Sequence, residues 1–122
     1  MSEIINGCGS IKEYSKRGKL IFEGEYLNGE KNGKGKEYYP DGILKFEGEF
    51  LYDCKLKGKD FIRGKLEFEG EYLFGKKWNG TGYDQYGNIA YKLKNGNGNI
   101  KEYNYKDELI FEGKYLNGSK KL

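Results

Sequence analysis

Histidine is absent from the 122 residues, and proline, methionine and tryptophan each occur once. Without histidine the chain lacks the commonest general base and the commonest metal ligand. Alanine, valine and methionine almost vanish, which leaves too few aliphatic side chains for a thick two-layer core. Residues 1–10 contain no apolar stretch of signal-peptide type, and no run approaches the roughly 18 apolar residues of a membrane-spanning helix. The two cysteines, Cys8 and Cys54, lie 46 residues apart without metal-ligand spacing. They are expected as free thiols in a reducing compartment, so a cytoplasmic location, peripheral to a membrane or the cytoskeleton, is the expectation. The Asn79-Gly80-Thr81 and Asn117-Gly118-Ser119 triplets are then chance products of an Asn-Gly-rich sequence.

What is present is as unusual. Glycine accounts for 20 residues, tyrosine for 12 and phenylalanine for 7. A mean hydropathy of −0.91 raises disorder as an alternative. The aromatic fraction of 16% opposes it, because disordered chains are poor in aromatics. Twenty-two basic and 19 acidic residues give a net charge of +3. That is a mixed solvated surface and not the single-sign field of a nucleic-acid binder.

An internal repeat organises the chain. NGCGSIKEYSKRGKLIFEGEYLNG (6–29) and NGNGNIKEYNYKDELIFEGKYLNG (95–118) agree at 16 of 24 positions. Between them Phe22, Phe46, Phe68, Tyr91 and Phe111 are spaced 24, 22, 23 and 20 apart. The unit is about 22 residues, and roughly four and a half units form one domain spanning 1–122 that starts and ends mid-unit. Within a unit, Phe22, Gly24 and Tyr26 alternate with Glu23 and Glu25, the period of a strand. Asn28-Gly29 marks a turn, and Gly33 to Lys36 begin a return strand. Pairing Tyr26 with Gly33 sets Gly24 opposite Gly35, Glu25 against Lys34 and Glu23 against Lys36. Tyr39-Pro40-Asp41-Gly42 is the turn to the next hairpin. Repetition predicts an all-β meander of about nine short strands, aromatic and glycine on one face, charged on the other.

FEGEYLNGEKNGKG at 22–35 resembles the MORN repeat, as do FEGEFL at 46, FEGEYLFGKKWNGTG at 68 and FEGKYLNG at 111. The resemblance implies an elongated, single-layer twisted antiparallel sheet of consecutive hairpins, with a groove lined by aromatics. It also implies membrane contact, after which the family is named, and similar repeats occur in small bacterial antitoxins. The pattern breaks at Leu56, at Gly80-Thr81-Gly82 where the lysines are lost, and at Tyr91–Gly96. There the unit is about six residues short and is expected to turn tightly at Asn95-Gly96, interrupting the groove. Gly7 and Gly9 align with Gly33 and Gly35, and Leu122 aligns with Gly33. Each end therefore presents half a hairpin, whose open edge either completes another copy or frays and caps itself.

No catalytic constellation is found. The serines and Thr81 sit in no triad or elbow, the Gly-x-Gly pairs lead into no helix, and the acid pairs occupy repeated solvent-facing positions. No cofactor, metal or small-molecule substrate is expected. Phe22, Tyr26, Phe46, Phe50, Phe68, Tyr72, Phe111 and Tyr115 are the candidate partner-binding row. Either they stack on a peptide or helix, or they are the thin core itself, packed on one another and on glycines. Carbohydrate competes, but carbohydrate-binding hairpin repeats lean on tryptophan. Single-stranded nucleic acid would want a basic groove. Lys31, Lys55, Lys76 and Lys77, with Trp78 beside them, are placed in hairpin loops and are the candidates for anionic lipid headgroups. The expected role is a non-catalytic scaffold that presents a groove and open edges to a protein or to another copy. Binding to an anionic phospholipid or phosphoinositide surface is the alternative, and an antitoxin-like bacterial role is a further one.

Overall fold

The computed structural model describes residues 9–104 and 106–121. Among them are eleven β-strands and no helix: β1 (Gly9–Tyr14), β2 (Leu20–Leu27), β3 (Glu30–Tyr38), β4 (Leu44–Leu51), β5 (Cys54–Ile62), β6 (Lys65–Leu73), β7 (Lys76–Tyr83), β8 (Ile89–Leu93), β9 (Gly98–Tyr103), β10 (Leu109–Leu116) and β11 (Ser119–Lys121). Strands β1 to β8 form one open antiparallel sheet in chain order, and β9 to β11 form a second. The architecture is the expected meander of hairpins, with two strands beyond the expected nine. Each of the five aromatic anchors opens its own hairpin, including the shortened one at Tyr91. At that short unit a single bridge, Lys94 to Asn97, is all that joins the two sheets in ladder form.

The turns explain the regularity. Asn28-Gly29, Asn95-Gly96 and Asn117-Gly118 have positive φ at both residues, the two-residue turn whose twist matches the flanking strands. The longer links between hairpins use a side chain as a template. Ser15 Oγ accepts from the Arg17 and Lys19 amides, and Asp84 Oδ1 accepts from those of Tyr86 and Asn88. Hairpin tips then bond back to what precedes them: Asp53 N donates to Lys31 O, Gly96 N to Trp78 O and Gly118 N to Gly96 O. The last two together link the β10–β11 turn, through the β8–β9 turn, to β7 of the large sheet.

The register sets one row of glycines across the large sheet. Gly24 pairs with Gly35, Gly35 with Gly48, Gly48 with Gly58, Gly58 with Gly70 and Gly70 with Gly80. Glu23 faces Lys36, as the charge pattern requires. Beyond Gly24 the register departs from expectation, because Tyr26 pairs with Lys31 and not with Gly33. Two extra residues bulge on β3, and the Glu25 carboxylate accepts from the Lys34 amide (3.0 Å) instead of facing its ammonium. Bulges recur in the next hairpins at Leu56 and Trp78. The return strand β11 also begins directly after the Asn117-Gly118 turn, so the last hairpin closes with three residues where a half hairpin was expected. Gly7, Cys8 and Leu122 lie outside the described residues; Cys54 is a free thiol.

Along the glycine row the neighbouring strand's backbone and the rings together leave no room for a side chain. A Cβ at Gly48 would stand 2.1 Å from Lys57 O, 2.6 Å from Gly58 Cα and 2.9 Å from Phe46 Cζ. Where the short unit lacks glycines, Leu93 and Ile100 fill the same place and are buried. Replacing Gly48 by alanine is therefore expected to cost about 3 kcal/mol in urea unfolding, the upper end of overpacking. Gly42→Ala, in a turn with nothing within 4 Å and only a left-handed angle to violate, is expected to cost about 1 kcal/mol.

Candidate functional site

The aromatic row is a continuous zigzag. Tyr26, Phe22, Phe50, Phe46, Tyr72 and Phe68 meet edge to face at centroid distances of 5.4–6.0 Å, and Phe68 stacks on Tyr91 at 6.3 Å. Phe46 and Phe68 are wholly buried, and Phe22 and Phe50 nearly so. Of the two readings open to these rings, the structure shows the thin core: they are packed on one another and on glycines. Tyr26, Phe111 and Tyr115 remain half-buried at the margins.

The cover over this row is made of lysines. Lys31 Nζ lies 4.4 Å from the Phe22 centroid, Lys55 Nζ 4.6 Å from Phe46, Lys77 Nζ 5.1 Å from Phe68 and Lys120 Nζ 4.9 Å from Phe111. A desolvated ammonium over a ring is worth up to about 2 kcal/mol. Each is also held by carboxylate. Lys31 pairs with Glu37 (3.5 Å) and Lys55 with Asp60 (2.7 Å). Lys77 pairs with Glu67 (3.2 Å) and Glu102 (3.7 Å), and Lys120 pairs with Glu102 (2.9 Å). The Tyr72 hydroxyl donates to the other oxygen of Asp60, so that buried acid is fully used.

This placement revises two expectations. Lys31, Lys55 and Lys77 stand on return strands with their ammonium groups turned over the rings, not in loops facing outward. Trp78 lies in β7, at a bulge, and its ring covers Gly96 and Gly118; a Cβ at Gly96 would be 2.5 Å from Trp78 Cζ3. Of the five headgroup candidates Lys76 is the exposed one, and its Nζ donates to Ser119 Oγ (3.2 Å). Sequence reasoning missed the counter-charges Glu37, Asp60, Glu67 and Glu102. The signal available was a lysine at the second residue of four return strands: Lys31, Lys55, Lys77 and Lys120.

Electrostatics follow the burial. Desolvation raises the Glu67 carboxyl, an effect that Lys77 partly offsets. Burial alone would lower the Lys77 ammonium, but Glu67, Tyr91 and Glu102 hold it well above its ordinary value. Burial, reinforced by the hydrogen bond to Glu23, pushes Tyr38 up to about 12. Tyr91 is likewise pushed up to about 12, by burial against the pull of Lys77.

The opposite face of the sheet is open. Lys12, Glu23, Lys36, Glu47, Lys59 and Glu69 stand across from one another strand by strand, alternating in sign. A parallel row two residues away runs Lys34, Glu49, Lys57 and Glu71. Between these rails lies a trough of about 650 Å³ whose floor is Ile11, Gly24, Gly35, Gly48 and Gly58. Lys57 and Glu49 close to 3.3 Å. Among the described residues, Lys12, Lys34, Lys36 and Lys59 form no ion pair, and their ammonium groups are free for a partner.

Residues 22–43 match the family model of the MORN repeat, consistent with a MORN repeat protein built from the hairpins above. Such repeats serve as interaction modules for proteins or membranes and are generally not catalytic. No curated protein and no solved structure matches the chain. Among the described residues no helix is long and apolar enough to cross a membrane, and no group of three His, Cys, Asp or Glu residues is placed to hold a metal ion.

A phenol or ammonium whose pKa rises on folding keeps its proton longer in the folded chain. The stability it contributes is complete below its unfolded value and falls as pH climbs through the gap. Tyr38, Tyr91 and Lys77 all act in this sense. The urea midpoint is therefore expected to stay nearly level from about pH 7 to 9 and to drop steeply above about pH 10. Lys77→Met, which leaves Glu67 and Glu102 without their shared cation, is expected to cost about 3–5 kcal/mol at pH 7 in the same assay.

Proposed function

We propose that the chain is a non-catalytic protein-interaction module whose docking face is the glycine-floored trough between the two charge rails. The carrying observation is the alternation of lysine and glutamate along a floor made mostly of glycine that lets a partner approach closely. Among the described residues Lys12, Lys34, Lys36 and Lys59 stand outside any ion pair. Like-signed groups on one rail recur every second strand, roughly 9–10 Å apart. An α-helix presents one face again every seven residues, about 10.5 Å along its axis. The occupant that fits is a protein helix carrying acid and base alternately along one side, with small residues toward the glycines.

The aromatic row does not serve as this groove, since its rings are buried under lysines. The anionic-membrane reading loses its main support for the same reason: the ammonium groups of Lys31, Lys55 and Lys77 are held by carboxylates and rings on the inner side. Scaffolding through a helical partner is the role this geometry favours.

A heptad-patterned helical peptide with Glu and Lys alternating along one face is the direct probe. Its fluorescence anisotropy should rise on titration with the protein at low salt and weaken as salt increases. A scrambled-charge twin and the Lys36→Glu/Lys59→Glu variant should each remove binding. Flotation with phosphatidylserine vesicles, unaccompanied by any peptide binding, would sink the protein-docking reading.

A further inference from the structure

The first residue of a positive-φ hairpin turn is asparagine in three hairpins, at φ 51°, 52° and 51° for Asn28, Asn95 and Asn117. The second and third hairpins break this rule. Tyr52 and Phe74 occupy the same place at φ 50° each, a left-handed backbone that is disfavoured for bulky side chains. Burial does not offset the strain, because Tyr52 is 69% and Phe74 85% exposed. Beside them Leu51, Leu56 and Leu73 are also exposed. These residues gather at neighbouring tips, the β4–β5 turn and the β6–β7 turn, two strand spacings or roughly 10 Å apart. Contiguous apolar surface of this kind marks an interface.

The pattern also points to the occupant. The charges at the two tips are of both signs, Asp53 beside Tyr52 and Lys76 close to Phe74, which gives no preference for an anionic surface. Two unlike rings side by side are self-complementary under a half turn, since each meets the other kind in the second copy. The same operation carries acids toward bases.

We propose that the tips of the second and third hairpins form an isologous contact between two copies of this chain, in which Tyr52 of each packs on Phe74 of the other. Leu51 and Leu73 close around the four rings. This surface is the edge of the sheet, separate from the trough, and the proposal does not depend on the docking reading above.

Sedimentation velocity over a concentration series should show the wild-type chain passing from monomer to dimer. Tyr52→Asn/Phe74→Asn should remain monomeric at the highest concentration while melting at a higher temperature, because asparagine suits the left-handed turn. In a Cys8→Ser/Cys54→Ser background, mixing Tyr52→Cys with Phe74→Cys chains under mild oxidation should give a cross-linked pair. Neither chain alone should cross-link, since the Cα atoms of a disulfide must lie within about 7 Å. A wild-type chain that stays monomeric would overturn the proposal. So would a double variant that still dimerises, or cross-linking that is no better in the mixture than in either chain alone.

Discussion

A phenylalanine ring set against a cross-strand pair of glycines is the contact on which the rest of this structure depends. A single sheet has no second layer against which to bury a core, so burial must be achieved within its own face. Phe22 covers Gly24 and Gly35, Phe46 covers Gly48 and Gly58, and Phe68 reaches Gly80. The glycines let each ring sink to the backbone, where its neighbours meet it edge to face. The lysine arms then replace the missing second layer, with aliphatic stems and ammonium groups covering the rings. That arrangement needs acids close by, and Asp60, Glu67 and Glu102 are brought in from neighbouring strands to supply them.

The division of the two faces follows from the same contact. With the rings and their lysines committed to one side, the other side carries only short-range charge alternation and bare backbone. One face holds the packed rings under their lysines, and the other is a solvated trough with rails of alternating sign. Cross-strand charge pairs on such a surface contribute little stability each. Their regularity is thus better suited to recognition than to holding the sheet together.

Much of this was legible from local pattern. The alternation in FEGEY, the Asn-Gly turns, the Gly24–Gly35 pairing, the Glu23–Lys36 pair and the tight turn at Asn95-Gly96 are all short-range features, and the structure contains each. What was not legible depends on distant partners. Lys31 moves inward because Phe22 and Glu37 are there, and that shift produces the bulge that displaced Tyr26 from Gly33. Lys77 finds Glu102 from a hairpin 25 residues further on, and Trp78 covers Gly96 across 18 residues. A repeat unit considered alone shows none of these, although the recurrence of lysine at the second return-strand position hinted at a shared task.

The central claim, that the glycine row exists to admit the rings, is tested most directly at Gly35. The three atoms nearest a Cβ there are all ring carbons, of Phe22 at 2.9 Å and Phe50 at 3.0 Å. A double-mutant cycle of Gly35→Ala with Phe22→Leu, followed by urea unfolding, isolates the ring's share of the penalty. The account predicts that the Gly35→Ala loss shrinks in the Phe22→Leu background, with a coupling of at least about 1 kcal/mol. Losses that simply add, within about 0.5 kcal/mol, would contradict it.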